Sequence, residues 1–419
     1  MPTYNSPGVY VEDVPPISRP ISGVSTSTPG FIGLVPDNIP LPYVKDGVIA
    51  WIEHGLASTS KMVYRISSWA DYVGLFGDFV GTDYAATAKT VKVPTDKKIL
   101  NGQRYLAHAV YGFFNNGGTN CYVVRIAATN TDAASIEKLG KFLATADDLD
   151  KALTALSAFD DISTVSFPGQ PAHNDSLIKH ATTMQRFAIL DWAEESDITK
   201  PPEMASTYAG VYFPWLKVLD PAEAMLNTNQ SGGIVAVPPS GHIAGVYARS
   251  DAARGAYKAP ANEALMGVNA LSVNITKAQQ DVLNVAGINA IRQLNGALRV
   301  WGARTVGKNN GEYRYISTRR YFNYLRQSID SGTQFVVFEP HTPALWQRVI
   351  RTLTDFLTNE WRSGALFGET AKQAFFIKCD AETNPPSTRD QGQLIVEIGV
   401  AIVKPAEFVI FRIQQTSGS

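Results

Sequence analysis

Residues 393–415 restrict the fold of this chain more than any other stretch. Leu394, Val396, Ile398, Val400 and Ile402 recur at every second position, so one face of a strand is apolar and needs cover. After Lys404-Pro405 comes a second run, with Val409, Phe411 and Ile413 on one face and Phe408, Ile410 and Arg412 on the other. Chain ends are ordinarily frayed and polar. One that stays strand-forming this far needs a partner edge, and another chain is a natural source of it.

The opening residues have the same character. Residues 1–22 form a Pro-rich arm in which Val9 and Val11 alternate with Tyr10 and Glu12, between Pro7 and Pro15. Prolines on both sides keep such a strand out of a sheet centre, so it reads as an edge strand on an extended leash.

Between the arms lies an ordinary globular sequence. A chain of 419 residues, 45% apolar and 18% charged, has room for two or three domains. A net charge of -1 gives no bulk attraction to nucleic acid or to an anionic membrane. Cys121 and Cys379 match no metal-ligand or CxxC spacing and read as buried free thiols of a reducing compartment. Arg19 is the first cation, no secretory leader pattern precedes it, and no apolar run is long enough to span a membrane. Synthesis in the cytoplasm is expected, without direct membrane insertion.

The pattern along the chain predicts an α/β fold. Gly30–Val35 reads as a strand and Pro36–Pro42 as a loop, while Ser67-Ser68 opens a helix over Trp69–Phe76 that Gly77 stops. A helix over Arg104–Phe114 ends at Asn115-Asn116-Gly117-Gly118, and the strand Cys121–Ile126 follows. That glycine turn lies after a helix and before a strand, the wrong order for a phosphate loop, so it caps the helix. The acidic cluster Asp147, Asp148 and Asp150 marks a solvated helical face. Strands over Arg186–Trp192, Val211–Leu219 (broken by Pro214) and Ile234–Val237 alternate with helical segments, which argues for a mostly parallel layer. Helices are expected over Ile243–Arg249, Lys277–Asn284 and Arg319–Ile329, then a strand over Gln334–Phe338.

The longest helix is expected over Ala344–Arg362, with Trp346, Val349, Ile350, Leu353, Phe356, Leu357 and Trp361 on its apolar arc and Arg348, Arg351, Asp355, Asn359 and Arg362 opposite. Glu360 intrudes on that arc, so it must pair with an arginine or sit at an interface. Gly364 supplies the cap, and the strand Ala374–Cys379 precedes the two terminal strands.

Chemistry is hard to find. A hydrolase built on His242 would also need a Gly-Thr-Ser nucleophile turn, and that tripeptide is absent. Phosphate-loop, HExxH, EF-hand and GxSxG patterns are absent too, so no catalytic, cofactor-binding or metal-binding residue is assigned and no cofactor is expected. Charge is the informative signal: between residues 291 and 330 eight cations face two anions, Glu312 and Asp330. This asymmetry points to an acidic partner surface, or alternatively to pairing with the acidic middle segment of the same chain.

Several strings together resemble the tail sheath proteins of contractile phages and extracellular contractile injection systems. They are Pro7-Gly8-Val9-Tyr10-Val11-Glu12, Phe113-Phe114-Asn115-Asn116-Gly117-Gly118 leading into Cys121-Tyr122-Val123-Val124-Arg125, and the run Pro238 to Asn262. Trp301-Gly302-Ala303-Arg304-Thr305, Arg319-Arg320 and Pro405-Ala406-Glu407-Phe408 complete the set, in one order from end to end. The resemblance implies a structural protein, not an enzyme. It implies a sheath of stacked hexameric rings that contracts around an inner tube, with baseplate and terminal cap proteins as further partners and no nucleic acid bound directly. It divides the chain into a donor arm (1–22), an outer subtilisin-like α/β layer without a protease site (23–290), an inner α+β domain facing the tube (291–405) and a second donor arm (406–419). Val9, Tyr10, Val11 and Glu12, with Phe408, Val409, Ile410, Phe411, Arg412 and Ile413, would then add strands to neighbouring subunits. Arg319, Arg320, Arg348, Arg351 and Arg362 would face the tube, and Glu360 an interface. The rival readings are a static strand-exchanged shell and an α/β hydrolase-like enzyme with an unrecognised site.

Overall fold

The computed structural model describes residues 20–36, 38–46, 48–55, 62–79, 97–128, 146–226, 232–307 and 311–410. Val9, Tyr10, Val11 and Glu12 of the first arm, and Phe411, Arg412 and Ile413 of the second, lie outside these described residues. By its contacts the chain divides into a larger unit, Val24–Tyr324 with Lys404 onward, and a smaller one, Leu325–Val403 with the stretch up to Gly23.

The strands of the larger unit are β1 (Pro29–Pro36), β2 (Asn38–Lys45), β3 (Val48–Gly55), β4 (Val63–Ile66), β5 (Cys121–Ala128), β6 (Thr164–Ser166), β7 (Phe187–Asp191), β8 (Ala209–Phe213), β9 (Leu216–Leu219), β10 (Ile234–Val237), β11 (Ala270–Leu271), β12 (Ile288–Leu294) and β13 (Ala297–Val300). Eight of them form one sheet in the order β13-β12-β8-β7-β6-β1-β5-β4. It is parallel from β12 to β5 and antiparallel only at its two edge pairs. The expected parallel layer is therefore present.

Both faces of this sheet are buried, as a parallel sheet requires. Phe31, Val123, Ile189, Tyr212 and Ile291 enter one core, and their neighbours Ile32, Val124, Leu190, Val211 and Ala290 enter another, at the period-2 alternation of a strand. Leu106, Val110 and Phe113 of the helix Lys97–Asn115 cover the first face with Ile243, Val246 and Tyr247 of the helix Ser240–Arg254. The second face packs on Leu149 and Leu153 from Ala146–Leu156, Leu177 from Asn174–Thr183 and Leu283 from Lys277–Ala286. The result is an α/β/α arrangement.

The two helices on the first face cross closely because glycines line the crossing. A Cβ at Gly241 would lie 2.2 Å from the Ala109 Cα, one at Gly245 2.5 Å from the Phe113 carbonyl oxygen, and one at Gly112 2.4 Å from the His242 ring. Asn116, fully buried, fastens the turn after the first helix: its amide donates to Gly112 O and Met266 O and its Oδ1 accepts from Met266 N–H.

Three expectations change. The segment Pro36–Pro42 is not a loop, since β2 pairs with β3 as an antiparallel ribbon turning at Asp46. Pro40 and Pro42 have the same parity along β2, so their missing donors fall on one side of the ribbon, where a two-stranded sheet needs none. The boundary expected at 290/291 falls inside β12, which pairs with β8, and the contact division comes after Tyr324 within the helix Ile316–Gly332. Gln334–Phe338 is no strand either: Gln334–Val336 forms a 3-10 turn and Phe338 takes φ 67°.

In the smaller unit the long helix Pro343–Arg362 buries Leu345, Val349 and Leu353. Against them pack Leu394, Val396 and Ile398 with Ile377 and Ile21, the apolar face read from the sequence. The strands β14 (Phe375–Lys378) and β15 (Glu397–Val400) pair antiparallel on this surface.

Candidate assembly site

A two-stranded sheet has two open edges and gains its stability from what it packs on. The β14–β15 pair is such an element, with Ile377 opposite Ile398 on the helix side. Its other side carries Phe376, 59% exposed, whose ring covers the bare backbone of Gly399 directly across. Beyond the strands, Phe367 N–H donates to Ala401 O and Ala401 N–H to Ala374 O, which extends the pairing. Phe367, Phe338, Val337 and Ile395 are also exposed in this unit. Phe376 and Phe367 thus expose apolar surface beside open strand edges, which suits contact with another chain.

The second arm, from Lys404 onward, belongs to the larger unit, and its most buried polar tie there is one carboxylate. Glu407 meets Arg304 at 2.8 Å, and beyond it Phe408, Val409 and Ile410 are 69%, 70% and 78% exposed. All three are largely exposed and outside any strand, although the Phe408 ring lies 5.9 Å from the Arg304 guanidinium.

The arginines divide into two groups. Arg319 and Arg320, expected on a tube-facing surface, are buried in the larger unit. The Arg319 guanidinium lies 3.5 Å from the Tyr313 ring centre and 4.2 Å from that of Tyr208, while Arg320 pairs with Asp251. They are core arginines, Arg319 held between aromatic faces and Arg320 by a carboxylate, which corrects the surface assignment; neither pairs with the acidic cluster around Asp147. Arg348 is partly engaged, at 3.2 Å from Glu339 and over the Phe335 ring. Arg351 and Arg362 are exposed on the polar side of the long helix, and Glu360 is half-buried and engaged within the chain.

The buried polar groups of the larger unit serve packing. His242 is 2% exposed, its Nδ1 has no hydrogen-bond partner among the described residues, and burial with the nearby charge of His108 pushes its pKa down to about 3. His108 Nε2 lies 3.0 Å from Asp220, whose other oxygen accepts from Ala222 and Glu223 N–H and caps the helix Pro221–Leu226. Asp191 accepts from Ser240 N–H, Ser240 Oγ–H and Gly169 N–H, and burial still pushes it up to about 6. Ser240 bonds a carboxylate, not an imidazole, and is fully buried, so no nucleophile with a base is assembled here. Among the described residues no group of His, Cys, Asp and Glu could hold a metal, and no helix is long and apolar enough to cross a membrane.

Sequence reasoning missed the roles of Asn284, Asn289 and Tyr315 and read Asn116 only as part of a helix-ending turn, because these residues do their work through side-chain hydrogen bonds that follow no periodic pattern. The pair Arg304 and Glu407 was visible only as two separate strings.

Comparison with known proteins agrees with this geometry. Residues 144–306 match the model of the phage tail sheath protein central domain, and residues 308–416 that of the phage tail sheath C-terminal domain. The tail sheath protein of Vibrio phage KVP40 is 27% identical over 185 residues, 43% of this chain and 27% of that protein. The tail sheath protein of Burkholderia phage BcepMu is 28% identical over 189 residues, 43% of this chain and 38% of that protein. The aligned segments thus span well under two thirds of these relatives. Among solved structures, the helical sheath of the anti-feeding prophage (AFP) in its contracted state matches with TM-score 0.69 and 28% identity, covering 99% of this chain and 100% of that one. The sheath complex of PVC, an extracellular contractile injection system, also in the contracted state, matches with TM-score 0.68 and 28% identity, covering 99% of each chain.

Proposed function

The chain belongs to the phage tail sheath protein family, as a structural subunit of contractile, phage-like injection systems, and from that premise we propose how it works. It polymerises as stacked hexameric rings around an inner tube, and contraction of the sheath drives the tube through a target envelope. The observation that carries this reading is the match along essentially the whole chain to a sheath subunit in its contracted state.

The arms are the joints. Residues 1–22 and the segment after Glu407 add strands to the open edges beside β14 and β15 of neighbouring subunits, where backbone hydrogen bonds give direction and pockets for alternate side chains give specificity. Hinges at the arm roots let the globular bodies pivot while the mesh stays connected. The larger unit forms the outer layer, with subtilisin-like α/β topology and no protease site, and the smaller unit faces the tube.

Arg351 and Arg362, exposed on the long helix, are the cations best placed to meet an acidic tube surface, with Arg348 beside them. Exposed pairs of this kind contribute about 0–1 kcal/mol each, which suits a contact that must release. The energy of contraction is stored in subunit packing at assembly. Baseplate and terminal cap proteins close the two ends, and the particle assembles after cytoplasmic synthesis. Electron microscopy of the assembled protein tests the reading: hollow cylinders of two lengths support it, one fixed length supports a static shell, and a stable monomer contradicts both.

A further inference from the structure

Three segments of the larger unit converge on Glu407. The helix Lys277–Ala286 brings Asn284, the stretch after β13 brings Arg304, and the residue before the helix Ile316–Gly332 is Tyr315. Glu407 Oε2 accepts from Arg304 Nε at 3.1 Å, from Arg304 Nη2 at 2.8 Å and from the Tyr315 hydroxyl at 3.1 Å, while Oε1 accepts from Asn284 Nδ2 at 3.1 Å.

The receiving groups are braced independently of Glu407. Arg304 Nη1 donates to Asn284 O at 2.8 Å. The fully buried Asn289 side chain holds both backbone groups of Arg304, accepting from its N–H at 2.7 Å and donating to its carbonyl at 2.9 Å. Arg304 and Tyr315 are also bridged antiparallel through their backbones. A guanidinium fixed in this way presents a fork already shaped for a carboxylate. Burial alone would raise the Glu407 carboxyl, but the bonds from Arg304 and Asn284, the Arg304 charge and the Tyr315 bond outweigh it and hold it below the usual range.

The arm around Glu407 has little else to hold it. Lys404 reaches Glu312 at 2.6 Å, but the two side chains are 49% and 82% exposed, and such pairs contribute little. None of residues 404–410 lies in a helix or strand.

We propose that Asn284, Arg304 and Tyr315 form a carboxylate receptor whose ligand is the chain's own Glu407, and that this clamp sets the register of the arm that leaves the subunit. The second half rests on the sheath reading above. A strand added one residue out of register turns every side chain to the wrong face. With Glu407 fixed and the Phe408 ring 5.9 Å from the same guanidinium, the faces of the strand that follows are determined. Glu407, inside the arm expected over residues 406–419, is therefore a positioning residue, and the donated strand begins after it.

Limited chymotrypsin digestion of the full, unassembled chain tests the clamp, since cleavage after Phe408 needs the neighbouring backbone released. Glu407→Gln, close to isosteric, is expected to speed that cleavage about tenfold while the amides of β7 and β8 keep their protection from hydrogen exchange. Tyr315→Phe, which removes one donor, gives a smaller rise at the same bond. Unchanged cleavage after Phe408 in Glu407→Gln, or faster exchange spread through the sheet, overturns the clamp. Electron microscopy of the same variant tests register: shortened or irregular cylinders support it, and normal ones from a demonstrably freed arm overturn it. If the unaltered chain forms no cylinders at all, the sheath reading fails, while proteolysis still decides the clamp.

Discussion

Arg320 and Asp251 meet as a two-pronged ion pair, with contacts of 3.0 and 2.5 Å, and their side chains are only 3% and 4% exposed. Thr26 joins both partners: its hydroxyl donates to Asp251 at 2.6 Å and its carbonyl accepts from Arg320 at 2.8 Å. The Tyr247 ring lies 4.2 Å from the guanidinium on another side. The pair ties the entry of the chain into the larger unit to the helices Ser240–Arg254 and Ile316–Gly332.

Removing one partner leaves a buried charge without compensation. Asp251→Ala is expected to lower the unfolding free energy by about 3–5 kcal/mol, measured by urea denaturation. Arg320→Glu places two carboxylates together and should prevent folding of the larger unit, where a surface arginine would tolerate reversal. A charge reversal that folds normally would return Arg320 to the tube-facing set.

Acid stability should carry the signature of His242. Its folded pKa of about 3 lies below the ordinary value of 6.5, so between those pH values the unfolded chain takes up a proton that the folded chain refuses. Its contribution is present above pH 6.5 and is lost as the pH falls toward 3. Asp191 runs the other way, because its folded pKa of about 6 lies above the ordinary 3.8 and the folded form gains the proton first. His242→Leu removes only the first effect. The fall of unfolding free energy between pH 6 and pH 4 should lessen by up to about 1.4 kcal/mol per pH unit, read from urea titrations across that range.

The hairpin of the smaller unit depends on the long helix beneath it. Leu353 is 1% exposed, and Leu353→Ala should destabilise by about 2–5 kcal/mol through lost burial and a residual cavity. Because its apolar neighbours are Leu345, Val349 and the hairpin residues, exchange at β14 and β15 should accelerate while β7 keeps its protection. Equal acceleration in both places would show that the two units unfold together.

Arm truncation separates folding from assembly. Removal of residues 1–15 or of residues 408–419 is expected to leave circular dichroism and melting temperature nearly unchanged and to abolish cylinders under the microscope. Normal cylinders from either truncation would refute strand exchange.

Much of the architecture was legible because apolar periodicity is dictated locally. The alternation in β1, β5 and β7 and the arc of the long helix state directly which face is buried. Ser68 and Gly77 bound their helix as read, with Asp71 N–H bonding the Ser68 hydroxyl and Gly77 N–H bonding Val73 O. Charge misled where periodicity did not. A count of cations over residues 291–330 cannot distinguish Arg319, sandwiched between Tyr208 and Tyr313, from an arginine in solvent, since its partners lie far away in sequence. Pro40 and Pro42 hid β2 because a proline-tolerant ribbon edge leaves no mark in composition. Phe338 hid the turn after Gln334, where an apolar run imitates a strand.

The glycine-lined helix crossing bears on how this subunit can be made sturdier. Replacing helical glycine by alanine is a common engineering step, since it restricts the unfolded chain and contributes about 0.4–1 kcal/mol where the fold has room. At Gly112, Gly241 and Gly245 the added methyl would fall within 2.5 Å of a neighbouring atom, so the same step should harm. Gly74, in the helix Trp69–Phe76, has nothing within 4 Å of the new carbon. One surface helix can therefore be strengthened by a substitution that the buried pair must refuse, and a library that treats all helical glycines alike would average the two outcomes away.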